Sequence, residues 1–321
     1  MRIAVPKAKR ITFLGNFTSD FTSETHHVRT LRAMGHEVIE LQENQATREQ
    51  FLEESLKSDL AVVIHTHSMT TPGGLSWGKI SKTLRKKKIP LITYHLDLWF
   101  GLERQKDLED DDYYKNLHYF FTVDKLMADW FNKNTKVKGI YLPAGVYKGE
   151  VLMMSPQPVS FDIIFTGSSN YHPEYPYRKH LVTFLKLKYG DRFLHIGNGG
   201  EIGQLRGLEL NQAYRNAKIA VGDTLSIGFK YPYYFSDRLF EQPGRGAFQI
   251  FPDIKGVEKM YNDKEIVLYK HGDLDDLGEK IDYYLEHEQE REEIRRNGFE
   301  RTKREHTYTN RWEVILNEVF K

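Results

Sequence analysis

The chain alternates short apolar runs with longer amphipathic segments, and this alternation limits the possible fold more than any other feature of the sequence. It runs through the first half of the chain and restarts near residue 161. Strands that alternate with helices predict parallel sheets covered by helices on both faces. The predicted strands are RITFLGNF, EVIEL, DLAVVIH, PLITYH, YFFTV, GIYLP, FDIIFTGS, RFLHIGN, AKIAVGD, AFQIFP and EIVLY.

The length of 321 residues is sufficient for two domains of ordinary size. The segment GVYKGEVLMMSPQPVS contains prolines and little periodicity, so we place the domain boundary near Ser155. We predict an α/β protein with two doubly wound, Rossmann-like domains, over residues 1–154 and 155–305, that face each other across a cleft. Residues 306–321 are predicted to form a helix that packs back on the first domain.

Composition excludes several kinds of site. The chain has no cysteine, so it has no disulfide and no thiolate ligand or nucleophile. Its net charge of +1 gives no overall field that attracts nucleic acid or a membrane surface. The N-terminus MRIAVPKAKR lacks the apolar region of a signal peptide, and we expect a cytoplasmic protein.

A glycine follows the first predicted strand of each half. Gly15 ends one strand, and Gly167 with Ser168 ends the other. Glycine lets the backbone approach an anion there, although a tight turn without a ligand explains the pattern equally well. The sequence lacks a GxxxxGK[ST] phosphate loop, and Ile202 replaces the last glycine of a GxGxxG motif in GNGGEIG. Neither a P-loop nor a standard dinucleotide site is expected.

The segment SDRLFEQPGRG reads as a short helix that stops at Pro-Gly. Ser236 or Asp237 is the predicted N-cap, and Arg238 and Glu241 lie three residues apart on one side. Arginine suits a diphosphate, and a carboxylate accepts two hydrogen bonds from a ribose diol. The alternative is a surface ion pair between the two side chains.

The second half resembles the CgeB-like glycosyltransferases, which are related to spore maturation proteins and have the GT-B fold. The resemblance covers roughly residues 160–315 and follows the patterns R-x-F-E-x4-G, Asn-Gly and His-Thr-Tyr-x-x-Arg. The matching positions are Arg238, Phe240, Glu241, Gly246, Asn297, Gly298, His306, Thr307, Tyr308 and Arg311.

This resemblance implies a glycosyltransferase that uses a nucleotide-sugar donor, which we expect to be UDP-linked, as co-substrate, without a metal or other cofactor. Glu241 corresponds to the residue that binds the donor ribose. Related enzymes often have a second glutamate earlier, in an E-x7-E motif, but here Tyr233 and Tyr234 stand eight and seven residues before Glu241, so that glutamate is absent. Arg238, Arg178, Gly167 and Ser168 are the implied diphosphate ligands. The remaining predicted donor-site residues are Gly15, Asn198, Gly199, Asp223, Ser236 and Asp237, and for Asn198, Gly199 and Asp223 a role in turns is the alternative.

His95 and Asp97 in TYHLDLWFG end a strand and are our candidates for the chemistry. An inverting transferase needs a general base near the acceptor hydroxyl, and either side chain is suitable. In a retaining transferase Asp97 would instead orient the acceptor or the sugar. The acceptor classes left open are a polysaccharide, a protein, a small molecule and a hydroxymethylated DNA base.

Two other functions compete with this interpretation. His65, His67, His95 and Asp97 are metal-ligand types at two strand ends, which would suit a metal-dependent hydrolase. The chain could also bind a nucleotide or nucleic acid without catalysis. The hydrolase leaves the second half unexplained, and the presence of both Arg238 and Glu241 speaks against a purely binding role.

Overall fold

The structure, a computed structural model, describes residues 8–64, 71–98, 112–158, 161–169, 175–225 and 228–321. The chain divides into two compact units. The first comprises Met1–Leu142 and Trp312–Lys321, and the second Pro143–Arg311. The boundary predicted after residue 154 therefore falls inside the second unit.

In the described part of the first unit, six parallel strands form a sheet in the order β2-β1-β3-β4-β5-β6. The strands are β1 (Arg10–Gly15), β2 (Glu37–Gln42), β3 (Leu60–Val63), β4 (Leu91–His95), β5 (Tyr119–Thr122) and β6 (Lys138–Tyr141). The helices of this half of the chain are α1 (Ser23–Ala33), α2 (Arg48–Ser55), α3 (Trp77–Lys86) and α4 (Lys125–Asn134). Each begins after a side-chain N-cap, supplied by Thr22, Thr47, Ser76 and Asp124 in turn.

The described part of the second unit contains a parallel sheet of five strands in the order β11-β10-β9-β7-β8. The strands are β7 (Ile163–Thr166), β8 (Phe193–Ile196), β9 (Ile219–Val221), β10 (Gln249–Asp253) and β11 (Val267–Lys270). The helices that follow are α5 (Tyr177–Tyr189), α6 (Gly207–Asn216), α7 (Arg238–Gly244), α8 (Leu274–Glu286), α9 (Glu288–Glu305) and α10 (Tyr308–Val319).

Both sheets are doubly wound, because the first strand of each lies inside it and the chain then continues to both sides. Strand β7 of the second unit contributes side chains to the core clusters on both faces of its sheet. Ile163 and Phe165 belong to the core cluster on one face, and Ile164 belongs to the cluster on the other. Residues that alternate along a strand point to opposite faces, so both faces are covered by helices. The predicted fold class is confirmed.

Two helix predictions need correction. The helical periodicity of the segment DLGEKIDYYLEHEQEREEIRRNG predicts one helix, but the segment breaks at His287 between α8 and α9. The Arg291 guanidinium donates to the Tyr284 carbonyl at 2.5 Å and so satisfies an oxygen that the broken helix leaves without an amide. Helix α7 was expected to stop before Pro243, yet it continues through Pro243 to Gly244. Gly246, with φ +82°, follows the end of this helix.

The C-terminal part of α10 lies in the first unit. Trp312 is fully buried there, and its indole Nε1 donates to His27 Nδ1 at 3.1 Å. Burial lowers the pKa of His27 to about 3, so the imidazole is neutral and can accept this hydrogen bond. Among the described residues, no helix is both long enough and apolar enough to cross a membrane.

Candidate functional site

The carboxyl ends of β7 and β9 lie side by side at the point where the strand order of the second sheet reverses. Ligands of doubly wound sheets bind at such a point, outside the carboxyl ends of the strands. The loop after β7 contains Gly167 and Ser168, and the loop after β9 contains Asp223. Two of the predicted donor-site segments therefore meet here.

Arg178 and Asp223 form a buried ion pair at this edge. Arg178 Nε lies 2.6 Å from Asp223 Oδ2, and Nη2 lies 3.0 Å from Oδ1. Their side chains are 3% and 1% exposed. Burial alone would raise the pKa of Asp223, but the charges of Arg178 and Arg238 outweigh it and hold that pKa below its usual value. Asp223 is thus an ionised carboxylate whose oxygens face Arg178 and Arg238, and its predicted contact with a nucleobase stays a prediction.

Three consecutive carbonyl groups of the β7 loop are each held by a side-chain donor. Arg238 Nε donates to the Thr166 carbonyl at 2.7 Å, and Arg178 Nη1 donates to the Ser168 carbonyl at 3.1 Å. Between them, the Gly167 carbonyl lies 2.7 Å from His195 Nε2. Because a carbonyl oxygen only accepts, this nitrogen carries the proton. The loop is therefore fixed at every one of these peptide groups.

Gly167 permits a conformation and a close contact that other residues would not. Its φ is +135°, and a Cβ built on it would lie 2.3 Å from Arg238 Nη2. Arg238 thus lies across the glycine, with its side chain 21% exposed and Nη1 3.9 Å from Asp223 Oδ1. Of the two arginines beside Asp223, Arg238 keeps access to solvent, whereas Arg178 is buried.

Glu241 lies one turn into α7 and is half-buried. No ion pair joins it to Arg238 in the described part of the chain, so the alternative of a surface pair is wrong. Burial is the main cause that raises the pKa of Tyr214 and of Glu150, and the negative charge of Glu241 raises both pKa values further. Its carboxylate therefore lies within electrostatic range of these two groups, and the Tyr214 hydroxyl is 2.5 Å from Thr166 Oγ1 at the end of β7.

A second buried network supports α7 from its C-terminal end. Arg245 pairs with Glu150 and donates to Asn211 Oδ1 at 2.6 Å. Asn211 Nδ2 donates in turn to the Glu150 carbonyl at 2.9 Å. Burial raises the pKa of Glu150, while the nearby charge of Arg245 opposes that effect. These contacts join α7 to α6 and to the start of the second unit.

The predicted N-cap of α7 is not formed by a side chain. Asp237 occupies the capping position without a side-chain capping hydrogen bond. The Ser236 hydroxyl instead donates to the Asp223 carbonyl at 2.5 Å, and the Ser236 amide donates to Thr224 Oγ1 at 3.2 Å. Ser236 therefore joins the loop after β9 to the start of α7.

Asn198 and Gly199 lie in the loop after β8 and are exposed. The Ser169 amide donates to the Asn198 carbonyl at 3.1 Å. Gly199 has φ +85°, and a Cβ on it would lie 2.4 Å from Ser169 Oγ. The structure therefore brings these two residues to the β7 loop, and their predicted contact with a nucleobase stays a prediction.

Several positions that carry the family resemblance have a structural role in the second unit. The His306 ring packs 5.1 Å from Phe240, and Arg311 lies 5.4 Å over the Phe240 ring. Arg311 Nε also donates to the Ala144 carbonyl at 2.8 Å. A Cβ on Gly298 would lie 2.3 Å from the Glu265 carbonyl oxygen. Arg238 and Glu241 are the motif residues at the polar edge, by which we mean the carboxyl end of the second sheet with Gly167, Ser168 and Asp223.

The candidates of the first unit lie at the carboxyl edge of its sheet. Gly15 ends β1. His95 ends β4, is 6% exposed, and has its ring 5.9 Å from Phe120 in a stacked arrangement. Its Nδ1 lies 3.1 Å from the Asp97 carbonyl oxygen, and Asp97 itself is half-buried. Their catalytic role stays a prediction.

A carboxyl group beside Gly15 was not predicted from the sequence. A Cβ on Gly15 would lie 2.8 Å from Glu24 Cγ in the first turn of α1. Burial raises the pKa of Glu24 to about 7, and the neighbouring charge of Glu43 adds to the effect. Glu24 was not found because SETHHVR reads as an ordinary amphipathic helix. Only its closeness to a strand-end glycine could have drawn attention to it.

The metal-site alternative rests partly on His65 and His67, which lie outside the described residues. Within the described ranges, no group of three or more metal-ligating side chains is present. His95 and Asp97 therefore have no third metal-ligating side chain beside them in this part of the chain.

Residues 178–317 match the family model described as Glycosyl transferase-like. No curated protein sequence matches the chain. The matched residues include Arg178, Asp223, Arg238 and Glu241.

Among solved structures, three similar ones are a sucrose-phosphate synthase, an α-glucosyltransferase and a protein bound to UDP and glucose. Sucrose-phosphate synthase from Thermosynechococcus elongatus is 13% identical, with a TM-score of 0.61, 97% of this chain covered and 99% of that chain. An α-glucosyltransferase in complex with UDP-glucose and DNA containing an abasic site is 10% identical, with a TM-score of 0.69 and coverage of 98% and 100%. Anabaena HepE with UDP and glucose is 11% identical, with a TM-score of 0.66 and coverage of 97% and 99%.

These similarities extend over nearly the full length of each chain. The predicted GT-B fold is confirmed by them, and the glycosyltransferase prediction is confirmed at the level of the matching family model. The chain thus has the fold of these proteins, and its residues 178–317 match the glycosyl transferase-like family model.

Proposed function

We propose that the protein transfers a sugar from a UDP-linked donor to an acceptor hydroxyl group, and that it is a CgeB-like member of the glycosyltransferases. The observation that carries the proposal is the polar edge of the second sheet. There, Arg238 and Glu241 lie beside a rigid glycine loop, inside the segment that matches the family model.

Each of these groups has a distinct task in the proposal. Arg238 is partly exposed and binds the diphosphate, which also neutralises charge on the leaving group. Glu241, one turn along α7, accepts hydrogen bonds from the ribose hydroxyl groups. Arg178 was predicted as a direct ligand, but its guanidinium is bound to Asp223 and to the Ser168 carbonyl. We therefore assign Arg178 the task of holding the loop.

On the first unit, Asp97 and His95 remain our candidates for the general base. In an inverting reaction the base takes the proton of the acceptor hydroxyl as its oxygen bonds to the sugar carbon. The bond between that carbon and the donor phosphate breaks, and UDP leaves. No metal ion is needed in this scheme, because Arg238 stabilises the phosphate charge. A cytoplasmic location stays part of the proposal.

Among the predicted acceptor classes, DNA has a parallel in one structural neighbour, which was solved with UDP-glucose and DNA. A hydroxymethylated base would supply the hydroxyl group that the reaction needs. Polysaccharide, protein and small-molecule hydroxyl groups meet the same chemical requirement.

A thermal-shift screen tests the proposal. The protein is heated with UDP, GDP, ADP and CDP in the presence of EDTA, and UDP release from UDP-glucose is then measured with hydroxymethylated DNA as one acceptor. We expect stabilisation by UDP without metal. Stabilisation by zinc or manganese alone would instead support the hydrolase, and nucleotide binding with no transfer to any acceptor would support a binding protein.

A further inference from the structure

His195 occupies a place where an apolar side chain would be expected. It lies in β8, is 0% exposed, and its ring centroid is 5.5 Å from that of Phe165. Phe193, two residues earlier and on the same face of the strand, belongs to the core cluster that contains Phe165. A leucine or phenylalanine would fill this position without burying a polar ring.

The ring of His195 makes one hydrogen bond within the described part of the chain. Nε2 donates to the Gly167 carbonyl at 2.7 Å, whereas Nδ1 is buried and has no partner among the described residues. A buried nitrogen without a partner is unfavourable. What the histidine contributes, compared with an apolar residue, is therefore its contact with the Gly167 carbonyl.

That carbonyl is the middle one of the three that side chains hold in the β7 loop. Two backbone amides of the loop also make hydrogen bonds within the protein. The Gly167 amide donates to the Ile196 carbonyl at 2.8 Å, and the Ser169 amide donates to the Asn198 carbonyl at 3.1 Å. Among the described residues, the Ser168 amide between them has no acceptor. The Gly167 carbonyl and the Ser168 amide belong to one planar peptide group, so fixing the carbonyl also fixes the amide.

We propose that His195 is a positioning residue of the donor site, which holds the peptide between Gly167 and Ser168 so that the Ser168 amide donates to the diphosphate of the sugar nucleotide. This inference rests on the proposed function. It extends it by naming a donor group on the backbone and the side chain that orients it. The nucleoside part of the donor makes no use of this peptide.

The test compares UDP with uridine, because only UDP carries the diphosphate. Binding of both is measured by isothermal titration calorimetry to the wild-type protein, His195→Leu and His195→Gln. The Gln side-chain amide nitrogen can replace imidazole Nε2 as the donor to the carbonyl. His180→Leu, which changes an exposed histidine of α5, is the matched control, and circular dichroism checks that each variant is folded.

We expect His195→Leu to bind UDP about tenfold more weakly, as the loss of one oriented hydrogen bond predicts. Its affinity for uridine should be unchanged, and His195→Gln should recover most of the UDP affinity. Unchanged UDP binding by His195→Leu would overturn the inference, as would an equal loss for UDP and uridine or a loss that Gln does not restore. A wild-type protein that binds no nucleoside diphosphate would instead refute the proposed function itself.

Discussion

The buried pair of Arg178 and Asp223 should hold the candidate site together, and a double-mutant cycle measures how strongly. The two side chains are 3% and 1% exposed. Removing one partner of such a pair leaves a buried charge without compensation and costs about 3–5 kcal/mol. The two single variants should differ, because Arg238 Nη1 lies 3.9 Å from Asp223 Oδ1.

In Arg178→Met, the carboxylate of Asp223 retains Arg238 as a neighbouring cation, so we expect a loss near 3 kcal/mol, the lower end of about 3–5 kcal/mol. In Asp223→Leu, two guanidinium groups lose their carboxylate, and the loss should approach about 5 kcal/mol. The double variant replaces the pair with apolar side chains and should lose less than the sum of the two single losses. We expect a coupling energy of at least about 2 kcal/mol.

Urea unfolding gives these free energies, and the chain supplies its own internal control. Its four tryptophans, Trp77, Trp99, Trp130 and Trp312, all belong to the first unit. Tryptophan fluorescence therefore follows the first unit, whereas the circular dichroism signal follows both. The variants should change the dichroism transition more than the fluorescence transition.

Arg192→Met is the matched control, because Arg192 forms a pair with Asp162 in the same unit but is 54% exposed. An exposed pair should contribute less than about 1 kcal/mol. Losses for Arg178→Met and Asp223→Leu that add to within about 0.5 kcal/mol in the double variant would contradict this prediction, since independent sites behave that way.

Two further variants test the geometry of each unit. Gly167→Ala should weaken UDP binding at least about tenfold by calorimetry, because the added Cβ displaces Arg238. In the control Gly203→Ala the added Cβ lies in open space, so the affinity for UDP should not change. Equal affinities of the two variants for UDP would contradict this prediction. Glu24→Gln should reduce the fall in stability on raising the pH from 5 to 8. The pKa of Glu24 is raised from 4.5 to about 7, so the folded state binds the proton more tightly, and its stabilisation, present below pH 4.5, is lost towards pH 7. That loss is about 3 kcal/mol. Parallel pH profiles of tryptophan fluorescence melting for wild type and variant would refute it.

The strands could be predicted because each is a short apolar run bounded by Gly, Pro, His or Asp. A strand buried on both faces needs such a run, and the local sequence contains it in full. The break at His287 could not be predicted in the same way. It depends on Arg291, which reaches back to the Tyr284 carbonyl, and no helix-breaking residue marks the position.

The candidate site could be predicted only in part, for a related reason. Arg238 and Glu241 are three residues apart, so helical spacing places them on one side of α7. Arg178 and Asp223 are 45 residues apart, and only the order of the strands brings them together. Arg178 was therefore predicted to bind the diphosphate, although its guanidinium donates to Asp223 and to the Ser168 carbonyl. His195 was hidden because it stands inside an apolar strand.

The central claim is that Glu241 binds the ribose of a uridine nucleotide on the second unit. Calorimetry with UDP and 2′,3′-dideoxy-UDP, on the wild-type protein and on Glu241→Ala, tests it most directly. The wild type should bind UDP about 10- to 100-fold more tightly than the dideoxy analogue, as expected for hydrogen bonds to a charged group. Glu241→Ala should bind both equally weakly. Undiminished binding of UDP by Glu241→Ala, or no discrimination by the wild type, would contradict the claim.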